Sequence, residues 1–228
     1  MAITLIGTSH ISRESIQQIR KTVEAVSPDI IAVELDRRRL LAVLEQRSRK
    51  VNLADIRHIG LKGYLFALIG GYVQEKLGKM VGVKPGAEMK EAVQLAKERK
   101  IQLALIDQPI EVTLRRFSQA LTWKEKFRMV GDVFRGIFQP KKQLHDFGLD
   151  QFDLRKVPAE KVIQQMMTQL KLRYPNIYHV LVEERNIYMV KKLQELQQKY
   201  PEKTIVAVVG AGHKREMEEL LRKIDVVK

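Results

Sequence analysis

The stretch "AITLIGTSHIS", residues 2 to 12, decides the fold. Its first five residues are an apolar run with the composition of a buried strand, which the pattern ends at Gly7. Ser12 then caps a helix to about Val26, whose apolar residues Ile16, Ile19, Val23 and Val26 recur at helical spacing. Pro28 punctuates, and "DIIAVEL" (29 to 35) is the second strand. The chain from Asp36 to Ser48 is helical again, with Leu40, Leu41 and Leu44 on its apolar face. A βαβα opening predicts an α/β fold: a mainly parallel central sheet flanked by helices.

The rest of the chain extends that pattern. "IQLALID" (101 to 107) reads as a third strand and "TIVAVVG" (204 to 210) as the last. Helices are expected over 87 to 99 and from Glu111 to Phe138. Two more are expected within 159 to 199, parted near Tyr174 and Pro175. A final helix runs to about Arg222, with a short strand at its end. Residues 52 to 82 are apolar and carry Gly60, Gly63, Gly70, Gly71 and Gly78. They read as an inserted helical lobe within a single domain spanning 1 to 228. Residues 139 to 158 have no clean period and read as a long connection or lid.

Composition narrows the chemistry. With no cysteine, disulfides, thiolate metal sites and cysteine nucleophiles are excluded. Any metal must be held by nitrogen and oxygen, from five histidines and 27 carboxylates. The formal net charge is +14, with dense clusters at "DRRRL" (36 to 40) and "RSRKV" (47 to 51). Most of the positive charge is spread along helical stretches, as on a solvated surface. No nucleic-acid motif accompanies it and aromatics are 6%, so nucleic acid is not the expected partner. Contact with an anionic membrane surface stays open.

The N-terminus lacks the basic start of a signal peptide. The longest apolar stretch, "GLKGYLFALIGGYVQ" (60 to 74), contains Lys62 and falls short of the roughly 20 residues a spanning helix needs. These features predict a chain without signal peptide or transmembrane helix, cytoplasmic or peripheral to a membrane. For the lobe, a homodimer contact is the preferred use.

Two segments share one frame. "LIGTSHIS" (5 to 12) and "VVGAGHKR" (208 to 215) each place Gly-x-x-His after an apolar run. Ligands of parallel α/β sheets bind beyond the carboxyl ends of the strands. A glycine there lets the chain turn, and the histidine three residues on reaches back over the sheet edge. His10 and His213 would therefore meet in one cleft if their strands are neighbours. Either histidine alone is as well explained by a turn or a satisfied core position.

Three carboxylates fall in comparable places. Glu34 ends the second strand, Glu88 begins a helix after Pro-Gly, and Asp107 ends the third strand. A carboxylate within an apolar strand is costly to bury unpaired. Glu34 is thus either a site residue or half of a salt bridge, to Arg37 or another arginine. Glu88 and Asp107 also read as a helix N-terminal acid and a turn residue. Glu183, Glu184 and Arg185 lie mid-helix, where a solvated face is the default.

Six blocks in order, "GTSHIS", "AVELDRRRL", "PGAEM", "IDQPIEVTLRR", "EERNIYMVKKL" and "VVGAGHKREM", resemble the TraB/PrgY family. That family belongs to the TIKI/TraB superfamily and is related to the erythromycin-esterase and ChaN-like fold. The resemblance spans Gly7 to His213. It implies an α/β fold whose site lies at the strand ends, where the two histidines and the acids converge. Some members act as metal-dependent peptidases, PrgY-type members shut down a peptide pheromone, and the esterase relatives open a lactone with a histidine and glutamates. Carried over by motif, the site residues are His10, Glu34, Arg37, Glu88, Asp107, Glu184, Arg185 and His213. Two positions depart from the pattern: Gln108 where the family usually has Arg, and Asn186 where it usually has Asp. Many members also carry C-terminal transmembrane helices, which this sequence does not show.

The leading expectation is a metal-dependent hydrolase of a peptide or ester bond. His10, His213 and Glu34 would hold a divalent ion (Zn, Mn, Co or Fe), which lowers the pKa of bound water. Glu88 or Glu184 would shuttle the proton, and Arg37, Arg116 or Arg185 would steady the oxyanion. A metal-free version uses one histidine as general base. The alternative is a non-catalytic protein that sequesters a pheromone-like peptide or a cofactor such as haem.

Overall fold

The strand nearest the C-terminus lies inside the sheet. The computed structural model describes residues 3–8, 13–45, 86–138 and 160–226. Within them four parallel strands form one sheet: β1 (Ile3–Thr8), β2 (Ile30–Val33), β3 (Gln102–Leu105) and β4 (Ile205–Gly210), in the order β1-β4-β2-β3. Burial follows that order. All six residues of β4 and all four of β2 are buried, while β3 begins exposed at Gln102. A strand paired on both sides and covered on both faces must be apolar at every position, which accounts for the unbroken "IVAVV".

Helices cover both faces. On one lie α1 (Arg13–Val26) and α3 (Ala87–Glu98), the latter reached through the short α2 (Arg37–Leu44). Ile19 and Val23 of α1 and Met89, Ala92 and Val93 of α3 pack on Ile31, Val33, Val206 and Val208. Gly86 opens α3 with φ of +79°, a conformation that favours glycine. On the opposite face lie α8 (Glu184–Lys199) and α9 (Ala211–Val226). Their Met189, Leu193, Met217 and Leu221 pack on Ile30, Ala32, Ala207 and Val209. The alternation of 30/32 with 31/33 is the two-residue period of a strand facing two layers.

Direction explains which helix takes which face. From β1 to β2 and from β2 to β3 the chain moves one way across the sheet; from β3 to β4 it moves back. Right-handed crossovers put connections of opposite direction on opposite faces. β4 thus sends its helix to one face while its neighbours β1 and β2 send theirs to the other. In open α/β sheets such a divergence marks where ligands bind, here the carboxyl end of β4.

The 110–138 region is two helices rather than one, α4 (Ile110–Ala120) and α5 (Trp123–Phe138). They meet α6 (Glu160–Arg173) and α7 (Pro175–Tyr178) around a satellite cluster of Phe117, Leu121, Ile177 and Val180. A π turn, His179–Glu183, joins α7 to α8. Two sequence expectations are adjusted. β1 runs through Gly7 to Thr8, so Gly7 is not the turn. A Cβ there would stand 3.0 Å from Lys214 Cδ and 3.3 Å from Ala211 Cα, so the glycine admits α9 against the strand. The last helix continues to Val226, where a short strand was expected, because its backbone bonds persist past Arg222. The expected helical lobe (52 to 82), the expected connection or lid (139 to 158) and His10 lie outside the described residues. Among the described residues, no helix is long and apolar enough to cross a membrane.

Candidate functional site

The carboxyl end of β4 adjoins a network built around one buried arginine. Glu34 follows β2, and its backbone N–H still donates to Val208 O of β4 at 3.0 Å. The next few atoms therefore sit on the sheet edge. Its Oε2 accepts from the Gly210 N–H at 2.6 Å, and its Oε1 accepts from Arg185 Nη2. Asp107 follows β3 with a fully buried side chain. It accepts from the Gln108 N–H at 2.8 Å, from Arg185 Nε at 3.2 Å and Nη2 at 2.5 Å, and from Arg39 Nη2 at 2.6 Å.

Arg185 is the hub. The planar guanidinium offers donors in a fixed fork, suited to bridging two carboxylates. Its Nη1 also donates to Leu181 O at 3.2 Å and stands 3.1 Å from His213 Nε2. Burial alone would pull its pKa down; the Glu34 and Asp107 charges outweigh that and hold it above the ordinary arginine value. The π turn just before it matters here. One extra residue in a helix rotates everything beyond by about 100°, so the π turn determines that position 185 faces the strand ends.

Arg39 extends the network outward. It donates to Asp36 Oδ2 at 2.8 Å, and Asp36 in turn caps α2 through the N–H groups of Arg38 and Arg39. The Ile110 N–H, at the start of α4, donates to the same carboxylate at 3.0 Å. Burial would raise the Asp36 pKa, but Arg39 and these backbone donors bring it below the usual aspartate value.

His213 sits in the first turn of α9, at residue exposure of 8%. Its Nδ1 is 2.7 Å from Asn186 Oδ1. Asn186 is fully buried, and its Nδ2 donates to Glu216 Oε2 at 2.8 Å, so the amide oxygen must face the histidine. Nδ1 then carries the proton, and Nε2 presents its lone pair toward Arg185 and toward Glu34 Oε1, 3.4 Å away. Tyr178 completes this chain by donating to Glu216 Oε1.

Glu184, Arg116 and Arg37 stand outside this network. Glu184, one position before Arg185, turns outward and pairs with Arg116 Nη2 at 2.5 Å, with His179 Nε2 at 3.4 Å. Arg116 is half exposed. Arg37 is exposed at the start of α2, and Arg39 rather than Arg37 reaches Asp107. Glu88 is buried in the first turn of α3. β1 and β4 are neighbours, with Thr8 in register opposite Gly210 and Gly7 opposite Val209. The two Gly-x-x-His frames are therefore one residue out of step.

The described residues do not by themselves fit a divalent ion. Among the described residues, no group of three His, Asp or Glu could hold one. The His213–Glu34 pair, the nearest to such a site, is spanned by the guanidinium of Arg185, a permanent cation. Residues that pattern reading did not single out as site members are Arg39, Asn186, Glu216 and Tyr178. Glu216 had a signal, since it lies three residues after His213 on one helix face. Tyr178 had none, because it precedes the π turn.

A family model described as the TraB/PrgY/gumN family matches residues 1–225. An uncharacterized protein of Methanocaldococcus jannaschii is 37% identical over 225 residues, covering 98% of this chain and 54% of that protein. TraB domain-containing proteins of Homo sapiens and Mus musculus are each 26% identical over 236 residues, covering 92% of this chain and 60% of theirs. The chain thus spans little more than half the length of these relatives.

Proposed function

The chain belongs to the TraB/PrgY/gumN family, and from that premise we propose that it is a hydrolase of a peptide or ester bond centred on His213. The observation that carries this reading is the orientation of the imidazole. Asn186 holds the Nδ1 proton, so the Nε2 lone pair turns to the strand ends beside a buried guanidinium. A general base must present a lone pair to its substrate, and an oxyanion needs fixed positive charge close by.

The steps follow from those positions. A substrate carbonyl oxygen draws the Arg185 Nη1 proton donor to itself, which releases Nε2 to accept a proton from water. The hydroxide attacks the carbonyl carbon, and Arg185 balances the charge on the tetrahedral oxygen. The imidazolium, 3.4 Å from Glu34, then returns the proton to the leaving oxygen or nitrogen as the bond to carbon breaks. Glu34 and Asp107 hold Arg185 in place, and Gly210 N–H holds Glu34.

A second reading is metal-dependent hydrolysis with the ion on His10, His213 and Glu34. Adjacency of β1 and β4 favours it, because Thr8 lies opposite Gly210. It requires Arg185 to leave His213 Nε2. Sequestration of a peptide or haem without turnover is the non-catalytic counterpart.

One experiment separates these. The purified protein, wild type beside His213→Ala, is assayed against chromogenic esters and a peptide panel, with and without chelation and added Zn, Mn or Co. Turnover that survives chelation and falls by roughly 10²–10⁴-fold in His213→Ala supports the histidine base. Turnover that needs added metal supports the second reading. Binding without turnover in any condition removes the hydrolase.

A further inference from the structure

Helix α5 turns an apolar stripe away from the protein. Its start is a capping box: the Glu125 N–H donates to Thr122 Oγ1 at 3.3 Å, and Glu125 Oε2 accepts from the Thr122 N–H at 3.3 Å. The same carboxylate accepts from Asn176 N at 2.9 Å and Nδ2 at 3.0 Å. Seven residues on, Asp132 takes Arg173 Nε at 2.5 Å and the Tyr174 hydroxyl. Both acids of this stretch thus face inward and pin one side of the helix to the body.

The opposite side carries Trp123, Phe127 and Val130, exposed by 71%, 72% and 51%. Their i, i+4, i+7 spacing makes one stripe, and the two rings lie 6.1 Å apart. At about 100° per residue, Lys124 and Lys126 leave the helix on the two flanks of this stripe. Lys126 Nζ stands 3.8 Å from the Trp123 ring centroid. The outward face is therefore aromatic and aliphatic at its centre and basic at its edges, with no acid.

We propose that this face of α5 docks on an anionic lipid surface. A helix that is apolar with Trp and Phe on one side, and flanked by lysines, lies in the plane of a membrane interface and gains from negatively charged headgroups. The chain's net charge of +14 adds attraction of the same sign. A second copy is the poorer occupant, because a symmetric contact would bring two sets of lysines together with no acid on this face to answer them. Single-stranded nucleic acid is poorer too, since Val130 provides no ring for a base to stack on. The inference is independent of the hydrolase reading.

Trp123 is the one tryptophan in the sequence, so its fluorescence reports from the stripe itself. The full chain is titrated with vesicles of equal parts phosphatidylcholine and phosphatidylglycerol, and with phosphatidylcholine alone. A blue shift with the anionic vesicles, weakened by salt, is expected. Lys124→Gln with Lys126→Gln should weaken partitioning roughly tenfold or more. Phe127→Glu, which keeps the reporter and lies at an exposed position, should abolish the shift with an unchanged circular dichroism spectrum. No shift with anionic vesicles overturns the proposal, as does an equal shift in Phe127→Glu. A shift produced by RNA and not by vesicles, or by raising protein concentration alone, overturns it in favour of the other occupants.

Discussion

Asn186 Oδ1 stands 2.7 Å from His213 Nδ1, and Glu216 holds the far side of the same amide at 2.8 Å. The imidazole is thereby fixed in one tautomer, with Nε2 toward the strand ends. This contact crosses from α8 to α9, two helices on one face of the sheet, so it forms only when both are docked.

Asn186→Ala should lower kcat more than it raises KM, because it frees the ring without removing the base. A drop of about tenfold or more is expected, with His213→Ala lower still. Asn186→Asp keeps an acceptor toward Nδ1 but sets a second carboxylate against Glu216, so it should retain turnover better when combined with Glu216→Gln than alone. Equal kinetics for Asn186→Ala and wild type would show that the tautomer is not the point of the contact.

Arg185→Met should be severe for the fold as well as for activity. It leaves Glu34 and Asp107 buried without their shared cation, a change that costs about 3–5 kcal/mol. Adding Glu34→Gln to it should recover part of the loss, since one uncompensated charge goes. Urea titrations of the single and double variants read both effects, and strict additivity would argue against the ion pair as drawn.

Acid should weaken the fold through Asp36. Its folded pKa lies below the unfolded one, so the folded state binds fewer protons. The contribution is fully present above the usual aspartate range near pH 4 and is lost as pH falls through the lower folded value. Asp36→Asn, which still caps α2, should be less stable than wild type at neutral pH and should approach it in acid. Melting curves against pH decide this; a gap that widens in acid would contradict it.

Gly7→Ala should destabilise the protein by roughly 1–3 kcal/mol, through crowding of Lys214 and Ala211. Lys214→Ala should relieve part of that cost, because the nearest atom is Lys214 Cδ at 3.0 Å. An unchanged urea midpoint in Gly7→Ala would mean that α9 yields without cost.

Much of the fold was legible because its signals are local. "IIAV" and "IVAVV" are buried on both faces of a parallel sheet, so they had to be continuously apolar. Ile19 and Val23 had to recur at helical spacing to reach the same core. The expected acids Glu34 and Asp107 were readable for a similar reason: a carboxylate at the end of an apolar strand demands a partner. Gly7 was misread as a turn, since a glycine needed for close approach looks the same in sequence as one needed for its φ.

Which cation answers those carboxylates was not legible. Arg37 is nearest to Glu34 in sequence, yet Arg185, 151 positions away, takes it. Strand order and the phase of one helix decided the matter. β4 lies between β1 and β2, which brings Gly210 and His213 to Glu34, and the π turn over His179–Glu183 rotates Arg185 inward while Glu184 goes to Arg116 on the surface. Residue types and their periods determined the layers and the stock of charged groups. The pairing among those groups depends on sheet topology and helix rotation, which arise only when distant segments pack.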